Sequence, residues 1–136
     1  MTNSNTQSKT LNLALWVVQV LLAITFVGTG LWKLLTPVSD LAAKMPWMGE
    51  VSPAFLQTTA VLDLLGGVGV LVPCATRIAP RLSILAALGC VGLMAGAIVF
   101  HLQRGEAAST PFNLVMAALA AFVAWGRHFR APITQG

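Results

Sequence analysis

The chain has 136 residues, of which 57% are hydrophobic and 9% charged, with a formal net charge of +4. A soluble domain carries about 25% charged residues, and four acids with eight bases cannot coat one of this size, so the expected solvent is lipid. The bases are scattered between apolar stretches and form no patch or run, which excludes nucleic acid as a partner and leaves the lipid bilayer.

Residues 1–10 are polar and are expected to form an N-terminal tail. The first apolar stretch runs from Leu11 to Leu35, long enough to cross a ~30 Å hydrocarbon core with some tilt. A cleaved signal peptide is rejected. Lys9 alone makes a weak basic region, the stretch is too long, and no small-x-small site follows.

The connector from Thr36 to Pro53 contains Pro37, Pro46 and Pro53, and its apolar residues predict a short interfacial segment. Ser52 followed by Pro53 reads as an N-cap and first helical position. The second helix is expected to run to about Val72 and stop at Pro73. Pro80 opens the third, carrying Leu82 to Leu102, and Gly105 closes it. Thr110 and Pro111 start the fourth, whose apolar part, Phe112 to Trp125, is short for a span. Arg127 is therefore expected to snorkel and Phe129 to extend it before Pro132. The expected architecture is an all-α, four-transmembrane-helix bundle over residues 11–131, with a C-terminal tail at 132–136.

Small residues cluster in three helices. Gly66, Gly67 and Gly69 crowd the second, Gly89, Gly92 and Gly96 the third, and Ala117, Ala120, Ala121 and Ala124 the fourth. In lipid such faces allow close backbone packing. For orientation, Lys9, Arg77, Arg81, Arg127 and Arg130 fall on one side, against Lys33, Lys44 and Arg104 on the other. The excess places both termini in the cytoplasm. Cys74 and Cys90 are expected ~13 Å apart in depth, too far for a disulfide, as a loop thiol and a small packing residue.

An ionisable group within a span costs ~3 kcal/mol at the helix centre, so each one is a functional candidate. Asp63 lies near the middle of the second helix, with Thr59 one turn away. Helical side chains lean toward their own N-terminus. Lys33, near the outer end of the first helix, thus leans inward while Asp63 leans outward. Their offset of ~9 Å along the axis predicts an ion pair. His101 ends the third helix and Asn113 begins the fourth at similar depth, with Arg104 between them. Gln19 lies on the Lys33 stripe and is expected to extend the polar track inward. The plainer reading makes His101 a solvated helix end, Asn113 a first-turn residue and Lys33–Asp63 a structural pair that fixes helix register.

His101 and His128 lie at opposite membrane faces, which excludes a haem held between them. No Cys/His/acid cluster has metal-ligand spacing, so no metal is expected. No nucleophile–base arrangement assigns a catalytic residue.

Several ordered motifs resemble the DoxX-like family of small bacterial membrane proteins. The first helix ends in F-V-G-T-G-L-W-K-L-L-T-P (Phe26 to Pro37), and the second carries L-D-L-L-G-G-V-G-V-L-V-P (Leu62 to Pro73), followed by T-R-I-A-P (Thr76 to Pro80). The third ends in F-H-L-Q-R-G-E (Phe100 to Glu106), and the fourth contains N-L-V (Asn113 to Val115) before W-G-R (Trp125 to Arg127). The resemblance implies a four-helix fold in a bacterial cytoplasmic (inner) membrane, with Lys33, Asp63 and His101 as family-pattern positions. The family more often has Glu where this chain has Asp63. The shorter side chain leaves a gap to Lys33 for a water or Thr59 to bridge.

Some relatives are membrane subunits of oxidoreductases, including the thiosulfate–quinone type, and others are linked to oxidative stress. The implied function is a membrane subunit of a redox system that binds a quinone-like molecule in an outward-facing pocket. Lys33, Asp63, His101, Asn113, Thr59, Arg104 and Gln19 are the ligand-binding candidates. No flavin, haem or dithiol site is evident, so a redox role needs a bound quinone or a partner redox subunit. The alternatives are a non-catalytic assembly or scaffold protein, with homo-oligomers among its assemblies, and a small proton-coupled exporter.

Overall fold

A computed structural model describes the backbone of residues 2–135 and the side chains from Lys9 onward. Six α-helices follow in chain order: α1 (Thr2–Leu35), α2 (Val38–Lys44), α3 (Trp47–Glu50), α4 (Pro53–Thr76), α5 (Arg81–Gln103) and α6 (Thr110–Trp125). A 3-10 turn (Ala107–Ser109) leads into α6 and a π-helical turn (Gly126–Arg130) ends it. There is no strand among the described residues.

Four segments are long and apolar enough to cross a membrane: Lys9–Leu35, Pro53–Thr76, Arg81–Gln103 and Ala107–Arg130. The large side chains they expose are apolar, with Ile24 66%, Leu65 64% and Leu85 64% accessible. Water would penalise such a surface, whereas hydrocarbon does not. The protein is a multi-pass membrane protein.

Inside, α1 packs on α4, α4 on α5 and α5 on α6, and a sparser contact between α1 and α6 closes the ring. The buried positions alternate by four and three residues. In α4 they are Leu56, Ala60, Asp63, Gly67, Val70 and Cys74; in α5 they are Ser83, Ala87, Cys90 and Met94. A spacing near 3.5 keeps one seam facing the partner helix over the whole span. Leu22, Phe26, Val70, Met94, Met116 and Ala120 belong to the apolar middle of the bundle.

The glycines divide by function. A Cβ on Gly67 would lie 2.9 Å from the Val27 backbone nitrogen, and one on Gly30 would lie 2.8 Å from the Ala60 carbonyl. These two positions let α1 and α4 meet backbone to backbone, while Gly69 of α4 makes room for the Ala86 methyl group of α5. Gly89, Gly92 and Gly96, expected to pack, instead face nothing within 4 Å.

The polar residues 2–10 are helical and continuous with the rest of α1. Other expectations are corrected. Pro73 does not stop α4, which runs on to Thr76. The Cys74 amide, just past the proline, donates to the buried Ser83 hydroxyl at 3.3 Å. Such side-chain partners let membrane helices tolerate proline. Cys74 is consequently a buried helical residue rather than a loop thiol, and both cysteines are free. Arg127 does not snorkel: the π-helical turn carries it inward, where it is 1% exposed. Gly126 makes room, since a Cβ there would meet Leu15 at 2.5 Å.

The Ser52 hydroxyl caps α4 by accepting from the Phe55 amide at 3.1 Å, as expected. The connector forms α2 and α3, which bury Leu41 and Met48 against Leu56. We call the end of the bundle that carries this connector the loop face, and the end where α1 starts and α6 finishes the terminal face.

Candidate functional site

Lys33 and Asp63 meet as the leaning of their side chains predicts. Lys33 Nζ donates to Asp63 Oδ2 at 2.9 Å, and the two side chains are 8% and 6% exposed. The reach is direct, so the expected bridge by water or Thr59 is not required. Thr59 joins as a further acceptor, 3.3 Å from Lys33 Nζ, while its own proton goes to the Leu56 carbonyl at 2.7 Å. Lys33 also sits 5.6 Å from the centre of the Trp47 ring, a cation–π contact supplied by α3.

A cavity of about 900 Å³ opens beside this pair, lined by residues of α1, α3, α4, α5 and α6. Lys33, Thr59, Asp63, His101 and Asn113 all border it. Gly92 and Gly96 border it too, and their missing side chains leave the room that their helix does not use for packing. Most of the remaining wall is apolar or aromatic. Trp47 stands edge-on to Phe100, with centroids 5.4 Å apart, and Phe55 stacks on Phe100 at 5.9 Å. Asn113 is buried, and its amide lies 3.4 Å from the Ser109 carbonyl.

The rim of the cavity is an ion-pair network. Gly105, with φ +73°, turns the chain after α5 in a conformation that suits glycine. That turn folds Glu106 back, so that its Oε1 lies 2.9 Å from His101 Nδ1 and accepts from Arg104 Nε at 3.1 Å. Arg104 also pairs with Glu50 of α3, tying the connector to the end of α5. The hydrogen bonds from His101 and then Arg104 hold the Glu106 carboxyl below its ordinary value. Glu50 and Glu106 hold the Arg104 guanidinium above its own. Arg104 thus braces the rim and is not among the residues bordering the cavity.

Gln19 is the candidate that does not join this site. It shares a stripe with Lys33 but lies roughly 21 Å further along α1 at about 1.5 Å per residue, and Leu22 and Phe26 intervene. Its amide nitrogen donates to the Val70 carbonyl at 2.7 Å, and its oxygen accepts from Arg127 Nε at 2.8 Å. The polar residues therefore form two centres separated by an apolar layer.

Glu50, Glu106 and Trp47 were not among the candidates. Only Glu106 had a usable signal: it follows His101 by five residues across a glycine that ends a helix. Glu50 and Trp47 reach the rim through the fold of the connector, which carries no comparable pattern.

This donor set suits an uncharged or weakly polar ligand. Lys33 and its partners present hydrogen bonds at one end, and the aromatic and glycine-lined wall takes an apolar body. Among the described residues, no group of His, Cys, Asp and Glu is placed to hold a metal ion.

The DoxX-like family model matches residues 17–123, which span the core of all four transmembrane segments and the whole loop-side site. No curated protein and no solved structure matches the chain. The chain belongs to the DoxX-like family.

Proposed function

We propose that the loop-side cavity binds a quinone-class amphipathic molecule and that the protein serves as the membrane subunit of a redox system. The observation that carries this reading is the cavity itself: about 900 Å³ of largely apolar space ending on the buried Lys33–Asp63 pair. A quinone carbonyl needs a hydrogen-bond donor, which Lys33 Nζ offers, and its ring and tail need an apolar wall. Reduction of a quinone to a quinol takes two electrons and two protons. The electrons come from a partner redox subunit, and the protons enter past the rim that Glu106 and Arg104 form at the mouth of the cavity. The family's oxidoreductase subunits are consistent with this role, and a bacterial inner membrane is the corresponding location.

The test is titration of the purified protein with a short-chain ubiquinone or menaquinone analogue, read by quenching of tryptophan fluorescence, since Trp32 and Trp47 border the cavity. Saturable quenching is expected, and Gly96→Leu should abolish it by filling the space. No saturable quenching in the wild type, or unchanged quenching in Gly96→Leu, would overturn the reading.

A second reading is favoured by one feature of α5. Gly89 is exposed and faces nothing within 4 Å, so the α5 surface is open to another helix. In that reading the protein is a non-catalytic assembly subunit, and Gly89→Leu blocks crosslinking to its partner while leaving quinone quenching intact.

A further inference from the structure

The terminal face holds cations and no side-chain acid. Lys9, Arg77, Arg81, Arg127 and Arg130 lie there, whereas the four acids (Asp40, Glu50, Asp63 and Glu106) belong to the connector, the loop-side pair and the rim. Arg127 is the extreme case. It donates from Nε to Gln19 at 2.8 Å, and from Nη1 to Asn12 Oδ1 at 2.6 Å and the Ala131 carbonyl at 2.8 Å. Its guanidinium lies 4.9 Å from the Trp16 ring centre. All of these partners are neutral, and Nη2 has no partner among the described residues. A buried cation lacking both a counter-charge and a full set of acceptors is costly.

Next to it is a cleft of about 440 Å³ between the start of α1, the end of α4 and residues 130–134. Asn12, Trp16 and Ala131 belong both to the cleft wall and to the contacts of Arg127. Lys9, Arg77 and Arg130 complete the wall. Arg77 is held in place, donating to the Thr134 carbonyl at 3.0 Å and the Thr134 hydroxyl at 2.6 Å. Three of the four membrane-crossing segments begin or end here, at Lys9, Thr76 and Arg130. The cleft is therefore at headgroup depth, where basic pockets between helices meet anionic lipid.

We propose that this cleft is a binding site for a phosphate-bearing anion, held by Lys9, Arg77 and Arg130 of its wall and offsetting through space the charge of Arg127, which is buried behind that wall and has no counter-charge among the described side chains. The phosphate belongs to the headgroup of an anionic phospholipid or is free in solution, and the two sources separate experimentally. The site is distinct from the loop-side cavity, since the apolar layer of Leu22, Phe26 and Val70 lies between them.

The experiment is thermal unfolding of the full chain in neutral detergent at constant ionic strength. Phosphatidylglycerol, phosphatidylcholine and inorganic phosphate are added separately. Phosphatidylglycerol is expected to raise Tm by on the order of 5 °C beyond phosphatidylcholine. The double variant Lys9→Gln/Arg130→Gln, at two exposed positions, should fold normally and lose most of that rise. A rise with inorganic phosphate as well shows that the phosphate suffices, and a rise with phosphatidylglycerol alone assigns the site to lipid. Equal responses to the two lipids with none to phosphate would overturn the proposal, as would an undiminished response in the double variant.

Discussion

Lys33 of α1 and Asp63 of α4 are joined at 2.9 Å inside the bundle, on two helices whose backbones meet closely at Gly30 and Gly67. The close approach explains how an aspartate, the shorter of the two acidic side chains, reaches the lysine directly. The glycines bring the helices together, and the long Lys33 side chain covers the rest of the distance.

Removing either partner strands a charge in a low-dielectric interior, which typically costs ~3–5 kcal/mol. Lys33→Met and Asp63→Asn should each lower stability by about that much. The double variant should be more stable than the sum of the single losses predicts, by at least ~1 kcal/mol. Unfolding in detergent measures all four proteins, and strictly additive losses would argue against the pair.

The terminal-face network makes a separate prediction. Gln19→Leu removes an acceptor from Arg127 and a donor from the Val70 carbonyl, so a loss of ~2–3 kcal/mol is expected. Gln19→Glu restores the acceptor and adds the missing negative charge, so it should be the milder change. The same unfolding measurement checks the order of the two variants.

The glycines predict opposite outcomes on neighbouring helices. Gly67→Ala and Gly30→Ala push a methyl group into backbone atoms under 3.0 Å away, at a cost of ~1–3 kcal/mol. Gly96→Leu meets nothing in the chain at its Cβ and should leave Tm within about 1 °C. It tests the cavity without disturbing the fold.

The rim should loosen in acid. Glu106 is held below its ordinary value in the folded protein, so its contribution is fully present above the unfolded carboxyl value and is lost as pH falls through the lower folded one. Hydrogen-exchange protection factors of residues 46–51 and 104–110, taken relative to the intrinsic rate at each pH, should fall over that acidic range. In Glu106→Gln, protection should be low already at neutral pH and nearly independent of acid.

Much of this site was legible in the residues because its parts are local or periodic. Lys33, Thr59 and Asp63 are rare polar groups in apolar spans, and helical leaning alone brings them to one depth. His101 and Asn113 fall at that depth from the helix limits. Gln19 misled because periodicity fixes which face a residue shares but not how far an apolar layer separates it from its stripe-mates. Arg127 misled for a related reason. Its position at a helix end suggested snorkelling, while a π-helical turn and the space beside Gly126 direct it inward.

The sequence by itself determined the lipid solvent, the four apolar segments and the pairing of Lys33 with Asp63. These follow from composition and helix geometry, which need no knowledge of neighbours. Only the tertiary structure decided which glycines close a helix contact and which leave a cavity, and that Glu50 and Trp47 complete the rim. It also decided that Arg127 forms a second centre with Gln19. Each of these depends on the distance between elements far apart in the chain, and packing sets that distance where no local pattern encodes it.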